Sequence, residues 1–188
     1  MNETISINRD QVTLEDAWGH YQTIRDSIVR TAGDTKRSIS RDGGVSDPRF
    51  RGMTADEVEA VFYQTLEETD RQASLFLVAS AEAVLSVDFL RRVKTRKKDP
   101  VSREFREIYK NTKTRRRLRL DEDILATWAK RVPGAKPSIA ELRGALNYRH
   151  WLAHGRYWVP KLGRQYDPAG LLKVIADLFE AIGLSNQI

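Results

Sequence analysis

Two of the chain's three histidines lie four residues apart, directly after an arginine, in the segment NYRHWLAHGRYW at residues 147–158. The histidines are His150 and His154, and the arginine is Arg149. Histidine titrates near neutral pH, so it can take a proton from a ribose 2′-hydroxyl or donate one to a leaving oxygen. Arginine stays charged, and its planar fork matches a phosphate. These residue types are therefore sufficient for phosphodiester cleavage without a metal.

The helical period of this segment predicts that its polar side chains share one helix face. At about 100° per residue, one side of the helix carries Arg143, Asn147, Arg149, His150, His154 and Tyr157. We expect the opposite side to face the core, and it carries Trp151, Trp158, Tyr148, Leu152, Gly144, Gly155 and Ala145. Packing explains the second group but not the first, so we interpret the polar face as a candidate site.

Two other interpretations of this polar face stay open. The first is that Arg149, His150 and His154 are ordinary surface residues. The second is a zinc site, because histidines four residues apart lie on one helical face. Trp151 stands where a zincin has its catalytic glutamate, and His20 is the one further histidine, so the sequence favours a site without metal or cofactor.

The positive charge of the chain is concentrated in one segment. The net charge is +6, but residues 91–119 alone carry 14 basic and 3 acidic side chains, whereas residues 1–90 carry 9 basic and 16 acidic ones. A basic block of this kind attracts phosphate polymers, so it indicates nucleic acid before other partners, with a solvated helix face as the alternative. The run Arg115, Arg116 and Arg117 supplies further candidate contacts to RNA.

The apolar pattern predicts an all-α fold, a bundle of four to five main helices. Capping boxes at Thr13 and Thr54 start the first two helices, Asp99 or Ser102 starts a short helix in the basic segment, and Ser138 starts the helix of the motif. Asp167, with the following proline, starts the last one. Residues 33–52 are rich in Gly, Ser and Asp, which predicts a long loop.

Length and composition restrict the classes of protein to which the chain can belong. With 188 residues and 40% apolar content, a single domain over residues 1–188 is expected, comprising an N-terminal helix and flexible loop (1–53) and a basic insertion (91–119). The chain has no cysteine, which excludes disulfide scaffolds and thiolate nucleophiles. The first residues lack a signal-peptide pattern, and the longest apolar stretch is interrupted by Glu82 and Asp88, so a soluble cytoplasmic protein is predicted.

The motif resembles a known family signature. Arg149, four intervening residues and His154, with the polar His150 directly after the arginine, resemble the R-x4-6-H motif of the HEPN superfamily, named for higher eukaryote and prokaryote nucleotide-binding domains. In that family the motif lies on a late helix of an all-α bundle. The resemblance extends from about Thr54 to the C-terminus and is strongest at residues 139–158. Residues 1–53 and the basic insertion match no family pattern.

The resemblance implies a metal-independent endoribonuclease from a toxin–antitoxin or phage-defence system. It implies a homodimer whose motif helices form a composite cleft, and products with 2′,3′-cyclic phosphate and 5′-hydroxyl ends. His154 is then the general base or acid, Arg149 neutralises the phosphate, His150 assists, and Asn147, Tyr157 and Arg143 contact the substrate. Relatives paired with an antitoxin often carry R-x4-H-x-Y, whereas Tyr157 follows His154 after two residues.

Two questions stay open at the level of sequence. Bundle domains of this family also serve as non-catalytic modules that bind nucleic acid, a nucleotide or a partner protein, and fold alone does not decide between these functions. Glu82 lies in an apolar helical run, where an unpaired carboxylate is costly. Its partner is expected to be an internal arginine, or else its position lines the cleft beside Arg149.

Overall fold

The computed structural model describes residues 12–40, 47–115 and 118–184, without the side chains of 112–115. The described part is all-α and contains no strand, as the sequence predicts. Its six α-helices are α1 (Leu14–Ile39), α2 (Ala55–Thr95), α3 (Pro100–Arg115), α4 (Ala126–Arg131), α5 (Lys136–Ala153) and α6 (Pro168–Ala181). Short 3-10 turns at Pro48–Phe50 and Pro133–Ala135 and a π-helical turn at Leu120–Leu125 complete the described elements.

Helix starts agree with the capping residues that the sequence indicates. Thr13 and Thr54 both form complete capping boxes, with Asp16 and Glu57 as the returning carboxylates. Between the two candidates for α3, Asp99 is the cap, because its carboxylate accepts the Ser102 N–H at 2.9 Å. Each of these side chains satisfies N–H groups that the first helical turn leaves without partners.

The prediction of a long loop over residues 33–52 is wrong in its described part. Helix α1 continues through Gly33 to Ile39, and Pro48–Phe50 forms a 3-10 turn; residues 41–46 lie outside the described part. The reason is tertiary packing. Phe50 is buried and stacks on Phe62 of α2, with ring centroids 5.2 Å apart, and Ile39 packs on the same cluster. This contact with α2 outweighs the local preference for a loop.

The main core lies where α2 passes α5 and α6. Helix α2 supplies Leu77, Ala81 and Leu85, all fully buried, and meets buried side chains of the other two helices. Those partners are Leu142 and Ala145 on α5 and Leu171, Ile175, Leu178 and Phe179 on α6. The central helix α2 thus holds the motif helix α5 in place along its length.

The basic segment packs into the bundle. Its first residues complete α2, and its next ones form α3, whose Val101 and Phe105 are buried in the main core. Arg92 is also used in packing: its Nε lies 2.7 Å from Asp88, and its guanidinium lies 4.8 Å from the centre of the Trp128 ring. Arg92 therefore serves the packing of the bundle and is not an exposed cation.

Helix α2 is the one described helix that is long and apolar enough to cross a membrane. Half of its most apolar window is buried inside the bundle. A central core helix passes the same test of length and composition, because it is apolar over most of its surface. The expectation of a cytoplasmic protein stays a prediction.

We expect Phe105→Ala to be one of the most destabilising single substitutions in the bundle. The Phe105 side chain is fully buried and its ring centre lies 4.8 Å from that of Phe89. Removing a buried phenyl ring leaves a cavity and costs about 3–5 kcal/mol, which urea denaturation measures. Phe76→Ala is the control, since Phe76 is 37% exposed; equal losses in the two variants would contradict this description of the core.

Candidate functional site

The motif helix α5 begins three residues earlier than predicted. Ser138 is not its cap: the helix starts at Lys136 with Pro137 in its first turn, a position that proline tolerates well. The chain enters it directly from the 3-10 turn Pro133–Ala135, whose last residue already has helical dihedrals. Glu141 is therefore not a capping carboxylate, and it pairs with Arg164 at 2.6 Å.

The C-terminal end of α5 falls inside the motif. The helix ends at Ala153, and His154 is the capping residue. Gly155 follows with φ +78° and donates to Leu152, while the N–H of Arg156 donates to Trp151. This pair of hydrogen bonds is a Schellman motif, for which glycine is the preferred residue in the left-handed position.

The prediction that the helix continues through Trp158 is therefore wrong. Gly155, Tyr157 and Trp158 leave the helix, and Tyr157 is 85% exposed. Gly155, with Pro160 shortly after it, is the signal that could have found this end. Trp158 still contacts the helix, since its carbonyl accepts the indole N–H of Trp151 at 2.8 Å.

The buried side of α5 agrees in part with the one that the sequence indicates: Ala145 and Tyr148 are buried as expected, but the side also includes Ile139 and Leu142. The buried residues are Ile139, Leu142, Ala145 and Tyr148. Arg149 lies four residues after Ala145 and seven after Leu142, so it projects from the buried side of the helix. Its side chain is nevertheless 36% exposed and borders the same open surface as His150 and Asn147. Arg149 therefore lies at the boundary between the core and solvent.

Arg149 meets the carboxylate of Glu82 on α2. Its Nε lies 3.5 Å from Glu82 Oε1, and the two side chains are 36% and 28% exposed, respectively. Burial raises the pKa of Glu82, and the Arg149 guanidinium opposes that shift. Both alternatives for Glu82 therefore hold: its partner is an internal arginine, and it lies beside the motif arginine in the cleft.

An open groove of about 580 Å³ runs along α5 at this point. Its lining residues are Glu82, Leu120, Asp121, Arg143, Leu146, Asn147, Arg149 and His150. One wall is the π-helical turn Leu120–Leu125, a type of local irregularity that is frequent at functional sites. Four of the residues predicted for the site therefore line one groove: Arg143, Asn147, Arg149 and His150.

Each arginine of the groove already has a carboxylate partner. Arg143 Nε lies 2.6 Å from Asp121 Oδ1, and both side chains are substantially exposed. An exposed pair of this kind contributes little free energy, so a phosphate can displace it. No sequence pattern identifies Asp121, whose position depends on the π-helical turn that precedes α4.

The two motif histidines contact each other. Their ring centres lie 4.3 Å apart at an angle of 53°, and the His150 ring also lies 5.9 Å from that of Trp158. Both histidines are exposed, but His150 lines the groove and His154 does not. Within one chain, His154 therefore adjoins the groove through its contact with His150.

An ion pair anchors the turn that follows His154. Arg156 has φ +59°, a left-handed conformation that is unusual for a residue other than glycine. Its Nη1 lies 2.6 Å from Glu68 Oε2 on α2, and this guanidinium is the main cause of the lowered pKa of Glu68. Glu68 thus helps to hold the end of α5, a role that sequence reasoning missed.

Two further sequence predictions concern metal and RNA contacts. In the described ranges, no three His, Asp or Glu residues cluster closely enough to hold a metal ion. Arg115 is the last residue of α3, but its side chain is not described, and Arg116 and Arg117 lie outside the described residues. The part of these three arginines in RNA binding stays a prediction.

We expect Gly155→Ala to loosen the end of the motif helix. Alanine at φ +78° costs about 1 kcal/mol of unfolding free energy, although no atom within 4 Å obstructs a Cβ there. Thermal or urea unfolding measures this loss. Gly134→Ala is the matched control, since its Cβ is also unobstructed and its φ is not positive; equal stability of the two variants would contradict the left-handed turn.

Comparison of the chain with protein-family models, with curated proteins and with solved structures gives no match.

Proposed function

We propose that the chain is a metal-independent endoribonuclease of the HEPN type. The observation that carries this proposal is the groove on α5, where Arg149 and His150 lie together and His154 is in ring contact with His150. A permanent cation and two titratable imidazoles at one surface are the groups that RNA cleavage by internal attack requires.

The proposed reaction is a transfer within the RNA chain. One imidazole takes the proton from the ribose 2′-hydroxyl, and the 2′-oxygen forms a bond to phosphorus. The bond to the 5′-oxygen breaks, and a protonated imidazole supplies the proton to that oxygen. The products are a 2′,3′-cyclic phosphate and a 5′-hydroxyl, and no oxidant, metal or cofactor takes part.

The groups of the site take separate roles in this reaction. The Arg149 fork binds the scissile phosphate and offsets the negative charge that grows on it. His154 is the general base or acid, and His150 orients or assists it from the groove. Asn147, Arg143 and Tyr157 contact the substrate.

A second copy of the chain completes the proposed site. In one chain His154 lies outside the groove lining, so a homodimer with facing motif helices brings a second pair of imidazoles to the composite cleft. We further propose RNA as substrate, action in the cytoplasm without a membrane partner, and control by an antitoxin or another regulatory protein. The exposed basic residues that follow α2, such as Lys97 and Lys98, support this proposal through their charge, since positive charge attracts an RNA backbone.

A non-catalytic binding module is the second candidate function. The pairing of Arg143 with Asp121 and of Arg149 with Glu82 favours it, because both groove arginines are partly neutralised. Such a module would bind RNA, a nucleotide or a protein without cleaving it. Its affinity for RNA would show the same salt dependence with and without the motif histidines.

Expression in a bacterial host separates the two candidates. The ribonuclease is expected to slow growth and fragment host RNA, and the double variant Arg149→Ala/His154→Ala is expected to do neither at the same protein level. Arg131→Ala is the control, since Arg131 pairs with Glu104 on another face. Equal growth of wild type and double variant, with intact RNA in both, would favour the binding module.

A further inference from the structure

Glu82 meets only one end of the Arg149 fork. The Nε atom of Arg149 is buried and has no hydrogen-bond partner, and Glu82 Oε1 lies 3.5 Å from it. No hydrogen bond joins the terminal nitrogens of Arg149 to another described residue, and the side chain as a whole is 36% exposed. Glu82 therefore attracts the Nε end of the fork, whereas the two-nitrogen end has no hydrogen-bond partner among the described residues.

The surroundings explain why this contact orients the arginine. Glu82 lies on the central helix α2, between the fully buried Ala81 and the nearly buried Val84, so its backbone has a fixed position. Its carboxylate is 28% exposed, which weakens screening by water and strengthens its attraction for the nearby Nε. A charge at the base of the fork favours one orientation of the guanidinium plane.

We propose that Glu82 is a positioning residue that aims the terminal nitrogens of Arg149 into the groove, where they engage the scissile phosphate. This inference rests on the proposed ribonuclease function and adds to it a residue outside the R-x4-H motif. It also assigns a function to the partial neutralisation of Arg149. The carboxylate occupies the Nε side and leaves the two-nitrogen edge of the fork, which matches two phosphate oxygens, for the substrate.

A purely structural ion pair is the competing explanation, and an apolar substitution separates the two. Burial raises the pKa of Glu82, which means that the ionised carboxylate is a cost to the folded state. Methionine of similar length removes that cost. The Arg149 side chain is 36% exposed, so it can then turn to water. The positioning role predicts that activity falls while thermal stability is kept, whereas a structural pair predicts that both fall.

The experiment compares Glu82→Met, Glu82→Gln and wild type in the full chain. The measurements are melting temperature and the kcat and KM for cleavage of a fluorescent RNA oligonucleotide in EDTA. For Glu82→Met we expect kcat to fall between about tenfold and a hundredfold, the range that misplacement of a catalytic group produces. KM is expected to stay equal or fall, because the groove loses a negative charge. Glu82→Gln keeps an oxygen beside Nε and is expected to retain more activity.

Glu67→Met is the matched control. Glu67 lies on the same helix and pairs with Arg71 at 3.4 Å, away from the groove, so its kcat is expected to equal that of wild type. An unchanged kcat in Glu82→Met would overturn the positioning role, and so would a joint fall of kcat and melting temperature in both Glu82 variants. Absence of cleavage by wild type would instead overturn the proposed function, and the role of Glu82 with it.

Discussion

Arg149→Ala is expected to lower the rate of RNA cleavage by at least about a hundredfold, the loss that follows removal of one donor to a developing oxyanion. Arg149 is the permanent cation of the motif, and its terminal nitrogens make no hydrogen bond to a described residue. Alanine removes the charge and the fork together. The measurement is single-turnover cleavage of a labelled RNA in EDTA, with circular dichroism to compare helix content.

Two variants sharpen this test. Arg149→Lys keeps the charge but not the planar fork, so it is expected to recover only part of the activity. Arg71→Ala is the matched control, because Arg71 is as exposed as Arg149 and its two carboxylate partners lie at similar distances. A folded Arg149→Ala variant that cleaves at the wild-type rate would remove Arg149 from the mechanism.

The second large effect is expected for His154→Ala, with a loss of about a hundred- to ten-thousandfold in the rate of cleavage. His154 caps α5 and contacts His150, so it is placed to exchange a proton with a substrate that lies in the groove. Its side chain is exposed, and replacing it is expected to leave the fold intact. The rate constant is measured between pH 5 and pH 8, where imidazoles titrate.

His150→Ala tests which of the two imidazoles contributes more to the rate of cleavage. As an assisting residue His150 is expected to show the smaller loss, although it is the histidine that lines the groove. His20→Ala is the control, since His20 is an exposed histidine on α1. If His150→Ala abolishes cleavage and His154→Ala does not, the assignment of the principal imidazole is reversed.

Local signals in the sequence were sufficient for the fold class and for several helix starts. Thr13, Thr54 and Asp167 act as caps because a short polar side chain before an apolar period satisfies the free N–H groups of the first turn. Such interactions involve residues only a few positions apart. They can therefore be predicted from the sequence without knowledge of the tertiary structure.

The errors arose where distant contacts decide the outcome. Residues 33–39 are helical because Ile39 and Phe50 pack against α2, a contact that no local pattern reveals. The partial burial of Arg149 likewise depends on packing. An ideal wheel places polar residues on the exposed side, whereas the buried stripe of α5 passes through Leu142 and Ala145, beside Arg149.

The candidate site was foreseeable in its residue types but not in its arrangement. The positions of Arg143, Asn147 and His150 on one groove follow from helical spacing. The carboxylates that pair with the groove arginines are Glu82 on α2 and Asp121 in the π-helical turn. Each lies 22 or more residues away from its arginine along the chain. Glu82 can be recognised in the sequence because it lies in an apolar run, whereas no sequence pattern identifies Asp121 or Glu68 as a site residue.

The most direct test of the central claim is to incubate the purified chain and its Arg149→Ala/His154→Ala variant with total RNA in EDTA and analyse the ends of the fragments. We predict that wild type produces fragments with 2′,3′-cyclic phosphate and 5′-hydroxyl ends, and that the folded double variant produces none. Intact RNA with wild type, fragments with 5′-phosphate ends, or equal cleavage by the double variant would contradict a metal-free reaction at Arg149 and His154.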